Sequence, residues 1–269
     1  MKAAPFAYRR PESLAEALEE LARAGDEARP LAGGQSLVPL LAMRLARPSL
    51  LVDLGRVPEL RGVRRDGAAL RIAAMTREAE LERWPGLPGV VAAALPHVGH
   101  FQIRSRGTVG GSLAQADPAA EWPALAVLLD AELEVASRRG ERRVAARDLF
   151  LGPLTTSLEP DELLVAAVLP GADGAFGFLE VERRPGDFAL VGAASHGGRV
   201  VAFATGGTPQ RLARCEALLR QGGGPGPELR ALAEAEIEAT GDVHASAAYR
   251  RAVGARLVDR VVAAAGAAA

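Results

Sequence analysis

Two glycine pairs, each with a serine close behind, constrain this 269-residue chain more than any other feature: Gly33-Gly34-Gln35-Ser36 and Gly110-Gly111-Ser112. Each stands ahead of a helical pattern, Leu37 to Leu45 in the first case and the run through Leu129 after Asp117-Pro118 in the second. Glycines at such places let the main chain approach a ligand without Cβ obstruction, and backbone N–H groups at a helix start or in a turn-shaped concavity hold an anion such as a diphosphate. Ser36 and Ser112 add hydroxyl donors, and Thr108 a third. Lys2 is the only lysine, so backbone amides carry most of the neutralisation in this reading. One glycine loop alone reads more readily as a tight turn; two of similar form reverse the balance towards one shared diphosphate. Neither loop has the G-x-G-x-x-G or G-x-x-x-x-G-K-[ST] pattern, which disfavours a conventional nicotinamide-dinucleotide site or an NTPase.

The rest of the chain reads as alternating short strands and helices, an α+β pattern. Ser13 and Glu16 form a capping box ahead of a helix with Leu14, Ala17, Leu18 and Leu21 on one face. Ser49 to Leu54 is a buried strand, and Asp66-Gly67 turns a hairpin between 60–65 and 69–75. Thr76 is expected to cap a short charged helix, and a further hairpin turns at Gly140. Leu163 to Leu169 is another strand. Segments 176–183, 188–196 and 199–204 form a three-stranded antiparallel meander, followed by a helix near 211–220 and two terminal helices. A domain boundary is placed near residue 172. With a net charge of −1 and no basic block, nothing points to nucleic acid or a membrane surface. Cys215, the only cysteine, excludes an intramolecular disulfide, a thiolate zinc site or iron–sulfur ligation, and reads as a small buried hydrophobe on a helix. No apolar run reaches the roughly 18 residues of a membrane span, and no signal pattern opens the chain, so a cytoplasmic protein is expected.

The loops and their flanks together resemble one family. Leu31-Ala32-Gly33-Gly34-Gln35-Ser36-Leu37 followed by Leu51-Val52-Asp53-Leu54, and Gln102 to Ser112 followed by Ala116-Asp117-Pro118-Ala119-Ala120-Glu121, are similar to the flavin loops of FAD-binding subunits of molybdenum hydroxylases, the carbon monoxide dehydrogenase and xanthine dehydrogenase family. Leu151-Gly152-Pro153, Arg183 to Phe188 and Ser246 to Arg251 resemble further segments of it. The resemblance implies a two-lobed FAD-binding domain of the vanillyl-alcohol-oxidase (PCMH) type over residues 1–172, with lobes of about 1–55 and 56–172, and a small α+β C-terminal domain over 173–269. It implies that Leu31, Ala32, Gly33, Gly34, Gln35, Ser36 and Leu37 embrace the FAD diphosphate together with Thr108, Gly110, Gly111 and Ser112. Asp117 belongs to the second loop, and Glu121, where the family usually has Asp, would accept from a flavin hydroxyl. Val98 and Leu164 fall where the family places apolar residues near the flavin and adenine, and read equally well as core.

The same resemblance implies partners: a molybdopterin-binding large subunit and a small subunit with two [2Fe–2S] clusters, assembled as a dimer of heterotrimers. Electrons would pass from the clusters to FAD and on to an external acceptor, whether quinone, NAD or oxygen. No catalytic acid or base and no metal site are expected in this chain, because few titratable groups converge near the loops. His97 and His100 are three residues apart with no third ligand in sequence, and read as polar residues bordering the second loop. Glu180 stands where the family often carries a lysine and reads as a solvated strand residue. Arg183 and Arg184 either steady a loop over the flavin or sit at a solvated hairpin end. The alternatives are a free-standing FAD-dependent oxidase or reductase, which would need a substrate insertion or catalytic cluster, and a non-catalytic scaffold that has lost FAD.

Overall fold

A computed structural model describes residues 2–171 and 174–267. The boundary expected at 172 lies outside the described residues. The first part of the chain runs β1 (Ala7–Arg9), α1 (Leu14–Ala24), β2 (Ala28–Leu31), α2 (Leu37–Ala42) and β3 (Leu50–Asp53). These strands form a parallel sheet in the order β1-β3-β2, with Leu50 opposite both Ala7 and Ala28. Ser13 Oγ accepts from the Glu16 amide at 3.2 Å and so caps α1, while the Glu16 carboxylate reaches back to the Glu12 amide rather than to Ser13. Ala17, Leu18 and Leu21 bury the apolar stripe of α1 against this sheet. Helix α2 stops three residues short of the expected Leu45, and Arg44 adopts φ +58° just beyond it.

The second part contains β4 (Val63–Asp66), β5 (Ala69–Ala73), α3 (Glu78–Leu81), α4 (Gly89–Ala94), α5 (Phe101–Arg104), α6 (Val109–Gln115), α7 (Glu121–Leu128), β6 (Glu132–Ser137), β7 (Gly140–Ala145), α8 (Ala146–Leu149), β8 (Phe150–Gly152), β9 (Thr155–Thr156) and β10 (Leu163–Leu169). Its five-stranded antiparallel sheet has the order β4-β5-β10-β6-β7. The β4–β5 turn is tight, with Asp66 opposite Ala69 and Gly67 at φ +58°. Thr76 does not cap the following helix: its hydroxyl donates to the Gly62 carbonyl, and Arg77 takes the N-cap place. The pairing of β10 with β6 slips between Leu164 and Ala166, and the Val165 carbonyl instead accepts from the Ala74 amide at 2.8 Å. That bond ties the end of β5 to the central strand, directly beneath the second glycine pair.

The last part has β11 (Phe176–Val181), β12 (Val191–His196), β13 (Arg199–Phe203), β14 (Gln210–Arg211), α9 (Ala213–Arg220), α10 (Pro227–Glu236) and α11 (Ala247–Ala267). The expected three-stranded meander is therefore a four-stranded antiparallel sheet. The added strand is two residues long, and sequence periodicity had merged it with helix α9. Arg211 leaves the helix because its guanidinium bonds Glu216 at 2.6 Å and Asp130 at 2.8 Å. This sheet is buried on both faces. Ala194, Val201 and Phe203 join the core beneath α4 and α7, whereas Ala193, Val200 and Ala202 face the core built on α9, α10 and α11. Residues beyond 174 thus share a hydrophobic core with α7, which places β11 against the elements behind the second glycine pair. No helix among the described residues is long and apolar enough to cross a membrane.

Candidate functional site

The two glycine pairs meet. A Cβ on Gly33 would collide with the Arg106 carbonyl and lie 2.9 Å from Gly107 Cα, and a Cβ on Gly111 would lie 3.5 Å from that of Ala32. The first loop leaves β2 at Leu31 and enters α2 at Leu37. Gly34, at φ +75°, makes the bend, and its carbonyl accepts from the Val38 amide at 3.0 Å. Gln35 Nε2 donates to the Gly33 carbonyl at 3.0 Å. Among the described residues, the amides of Gly33, Gly34, Gln35 and Ser36 make no hydrogen bond within the protein. Ser36 is exposed and its hydroxyl makes no capping bond. Four consecutive free N–H groups in a bend form a concavity that accepts an anion.

The second glycine pair is built differently. Gly110 and Gly111 lie inside the first turn of α6, not in a loop before it, and Thr108 is the N-cap. The amides there are engaged: Val109 donates to Thr76 O at 3.1 Å, Gly110 to Ala74 O at 2.9 Å, Gly111 to Thr108 Oγ1 at 3.1 Å and Ser112 to Thr108 O at 3.0 Å. The expectation that amides of both loops neutralise a diphosphate is thus corrected for the second. A Cβ on Gly110 would drive into Ala74, the residue just after β5, so this glycine is required by packing before any ligand is considered. What α6 offers is the bare Gly111 surface, the half-buried Ser112 and the Thr108 hydroxyl proton.

Further from the loops, Asp117 Oδ1 accepts from the Ala119 amide at 2.9 Å and shapes the turn into α7. Glu121 opens α7 and is 5% exposed, and burial, reinforced by the charges of Glu180, Glu78 and Asp117, pushes its carboxyl up to about 8. Val98 and Leu164 lie in the main hydrophobic core. Nothing in the sequence singled out Glu78. It is buried, Oε2 has no hydrogen-bond partner, and desolvation raises its carboxyl to about 8 despite the charge of Arg104. Its backbone amide donates to the Gly107 carbonyl at 3.1 Å, and a Cβ on Gly107 would meet Oε2 at 2.5 Å, so this acid lies directly against the second loop.

Two expectations for the polar residues fail. Glu180 is not solvated: its side chain has 0% exposure, and His97 Nδ1 is 3.4 Å from Oε1. Nor does His97 lack neighbours, because donor atoms of His97, Glu180 and Glu182 all lie within 4.8 Å of one another. Those carboxylates arrive from β11 and its end, eighty-odd positions further along the chain. One signal was available. Strand periodicity puts Glu180 on the same face as Phe176 and Phe178, which pack on the main core, and the Phe178 ring lies tilted against that of His97 with centroids 5.4 Å apart. His100 packs against Gly186, and Arg183 and Arg184 are exposed in the turn after β11. Cys215 is buried, and its thiol is pushed up to about 12 by burial, as befits an inert core residue.

The bare glycines, the row of free amides and the orphaned acid oxygens fit a cofactor that combines a diphosphate with several hydroxyl and N–H donors. Residues 4–172 match the family described as the FAD binding domain in molybdopterin dehydrogenase. The chain belongs to this family. Its cofactor is FAD, and it is an oxidoreductase subunit of the molybdenum hydroxylase type. Among its relatives, the 6-hydroxypseudooxynicotine dehydrogenase complex subunit alpha of Paenarthrobacter nicotinovorans is 39% identical, over 98% of this chain and 95% of the relative. The nicotine 6-hydroxylase medium subunit of the same organism is 39% identical over 99% of both. Of solved structures, a carbon monoxide dehydrogenase from Hydrogenophaga pseudoflava superposes with a TM-score of 0.93 at 34% identity, covering 99% of each chain. Quinoline 2-oxidoreductase from Pseudomonas putida 86 gives 0.91 at 37% identity, covering 100% of this chain and 99% of the other. The fold of this flavoprotein is accordingly the two-lobed PCMH type with an antiparallel sheet in its C-terminal part.

Proposed function

We propose that this chain is the electron-transfer subunit of a molybdenum hydroxylase complex, accepting electrons from [2Fe–2S] clusters of a small partner subunit and passing them to an external acceptor such as a quinone, NAD or oxygen. The observation that carries this reading is the row of free amides from Gly33 to Ser36 facing the bare turn of Gly111 and Ser112. In this reading Leu31 to Leu37 hold the diphosphate by main-chain donation, with Thr108, Gly110, Gly111 and Ser112 closing the other side. Asp117 and Glu121 serve the sugar-alcohol part, and Val98 and Leu164 give apolar support to the ring systems. The domains divide as 1–172 for FAD and 173–269 for the C-terminal unit. When bound, the flavin supplies a centre that exchanges electrons singly with clusters and in pairs with an acceptor.

The chain's own residues bind, orient and desolvate. None is placed to act on an organic substrate, and hydroxylation belongs to a molybdopterin-bearing large subunit. The complex is a cytoplasmic dimer of heterotrimers in this proposal, supported by relatives described as medium subunits and complex subunits. The free-standing oxidase and the scaffold without FAD are disfavoured by the absence, among the described residues, of a substrate-sized insertion and by the intact amide row. The deciding experiment is affinity purification of the chain from its own cells, with extracted flavin and co-purifying subunits counted. One FAD per chain and two partners, with flavin bleaching on addition of the complex's substrate, are expected. Substrate turnover by the chain alone would overturn the reading.

A further inference from the structure

Behind the second loop lies a group that the binding role does not use. The Glu180 side chain is wholly buried, neither carboxylate oxygen has an aligned hydrogen-bond donor, and its nearest cation is His97 at 3.4 Å. Besides His97, the groups that face it are acidic: Glu182, just past the end of β11, and Glu121 on α7, which in turn feels the charges of Glu78 on α3 and Asp117 in the preceding turn. The nearby guanidinium of Arg104 on α5 is spent on Glu82 at 2.6 Å and on the carbonyls of Val98 and Gly99. Glu182 itself accepts from the Gly186 amide at 3.0 Å. The imidazole in contact with Glu180 is that of His97, which is 35% exposed and so has access to water, while His100 lies further out against Gly186.

We propose that His97 and Glu180 form a proton-exchanging couple that takes up one proton when the neighbouring flavin is reduced. This inference rests on the FAD reading above, with Glu121 beside the cofactor. Contact with the Glu180 carboxylate holds His97 above the ordinary imidazole range, and burial holds Glu180 above the ordinary carboxylate range, so each member holds a proton more readily than it would in water. A bound flavin that took two electrons from a partner centre and one proton from solvent would carry one added negative charge. A second proton, drawn from solvent through His97, goes to the couple and offsets that charge. Reoxidation by the acceptor returns both protons. In a buried acidic setting such compensation favours the reduced flavin, where an unpaired carboxylate would oppose it.

The test uses the full-length chain loaded with FAD, its flavin content read first by absorbance. Proton uptake on dithionite titration, or the pH slope of the flavin midpoint potential, is then compared for wild type, Glu180→Gln and His97→Gln at pH 8. About two protons per two electrons are expected for wild type and about one for each variant. A count of about one in wild type, or an unchanged count in both variants with flavin bound, would overturn the proposal and leave FAD binding standing. A chain that binds no flavin overturns both readings together. A purely structural role for the pair would alter flavin content but not protons per bound flavin. His97→Gln, at a half-exposed position, keeps the test open should Glu180→Gln not fold.

Discussion

The two glycine pairs share letters and differ in physics. The first is an open bend whose N–H groups have no partner among the described residues; the second is a helical turn whose amides are all engaged, capped by Thr108 and backed by buried Glu78 and Glu121. The first pair therefore presents main-chain positive charge, and the second presents shape, hydroxyls and buried acids. A glycine pair in a sequence does not distinguish these. Gly33 and Gly110 are glycine because protein backbone lies where a Cβ would go, while Gly34 is glycine because its φ is positive.

That contrast can be broken most directly at Gly33. Gly33→Ala pushes a Cβ into the Arg106 carbonyl and should cost about 3 kcal/mol of stability by overpacking, visible as a large fall in the denaturant midpoint of the flavin-free chain. Gly111→Ala meets Thr108 Oγ1 at 2.8 Å and gains helix propensity, so its stability should stay within about 1 kcal/mol while FAD affinity falls. If the two substitutions proved equal in stability, the distinction between packing and ligand glycines would fail.

A slightly smaller effect should separate the halves by pH. Glu78 and Glu121 have carboxyls raised to about 8, so the folded chain holds protons that the unfolded chain has released. Their contribution is fully present below the usual carboxylate value near 4.5 and is lost as pH rises towards 8. The flavin-free chain should lose a few kcal/mol between pH 5 and pH 9, the shift being worth about 1.4 kcal/mol per unit before coupling. Glu121→Gln should remove about half of that slope in urea unfolding measured across pH. A slope untouched by the substitution would exclude Glu121 from that contribution.

Thr108→Ala strips the cap and orphans the Gly111 amide, at a cost of about 1 kcal/mol in thermal or denaturant unfolding. No such cost should attend Ser36→Ala, whose hydroxyl caps nothing. The smallest effects sharpen the division of labour by isothermal titration with FAD. Ser112→Ala should weaken binding about tenfold, because side chains are what α6 has left to give. Ser36→Ala should weaken it about threefold, since free amides remain beside it. The reverse ranking would show that the second turn, too, binds through its main chain.

Local chemistry made much of this molecule readable in its sequence. The Ser13 cap, the Gly67 turn, the apolar run of β10 and the positive-φ bend at Gly34 each follow from neighbours a few residues away, and the paired loops with their flanks were enough to point to the flavoprotein family. Tertiary structure decided what a side chain or amide meets. It engaged every amide in the first turn of α6, with the carbonyls of 74, 76 and 108 and the Thr108 hydroxyl, and split Arg211 from its helix to answer Asp130. It also carried Glu180 across the molecule from a nominal surface strand to a sealed place beside His97. Those outcomes depend on desolvation and charge between residues far apart in the chain, quantities that periodicity and propensity do not contain.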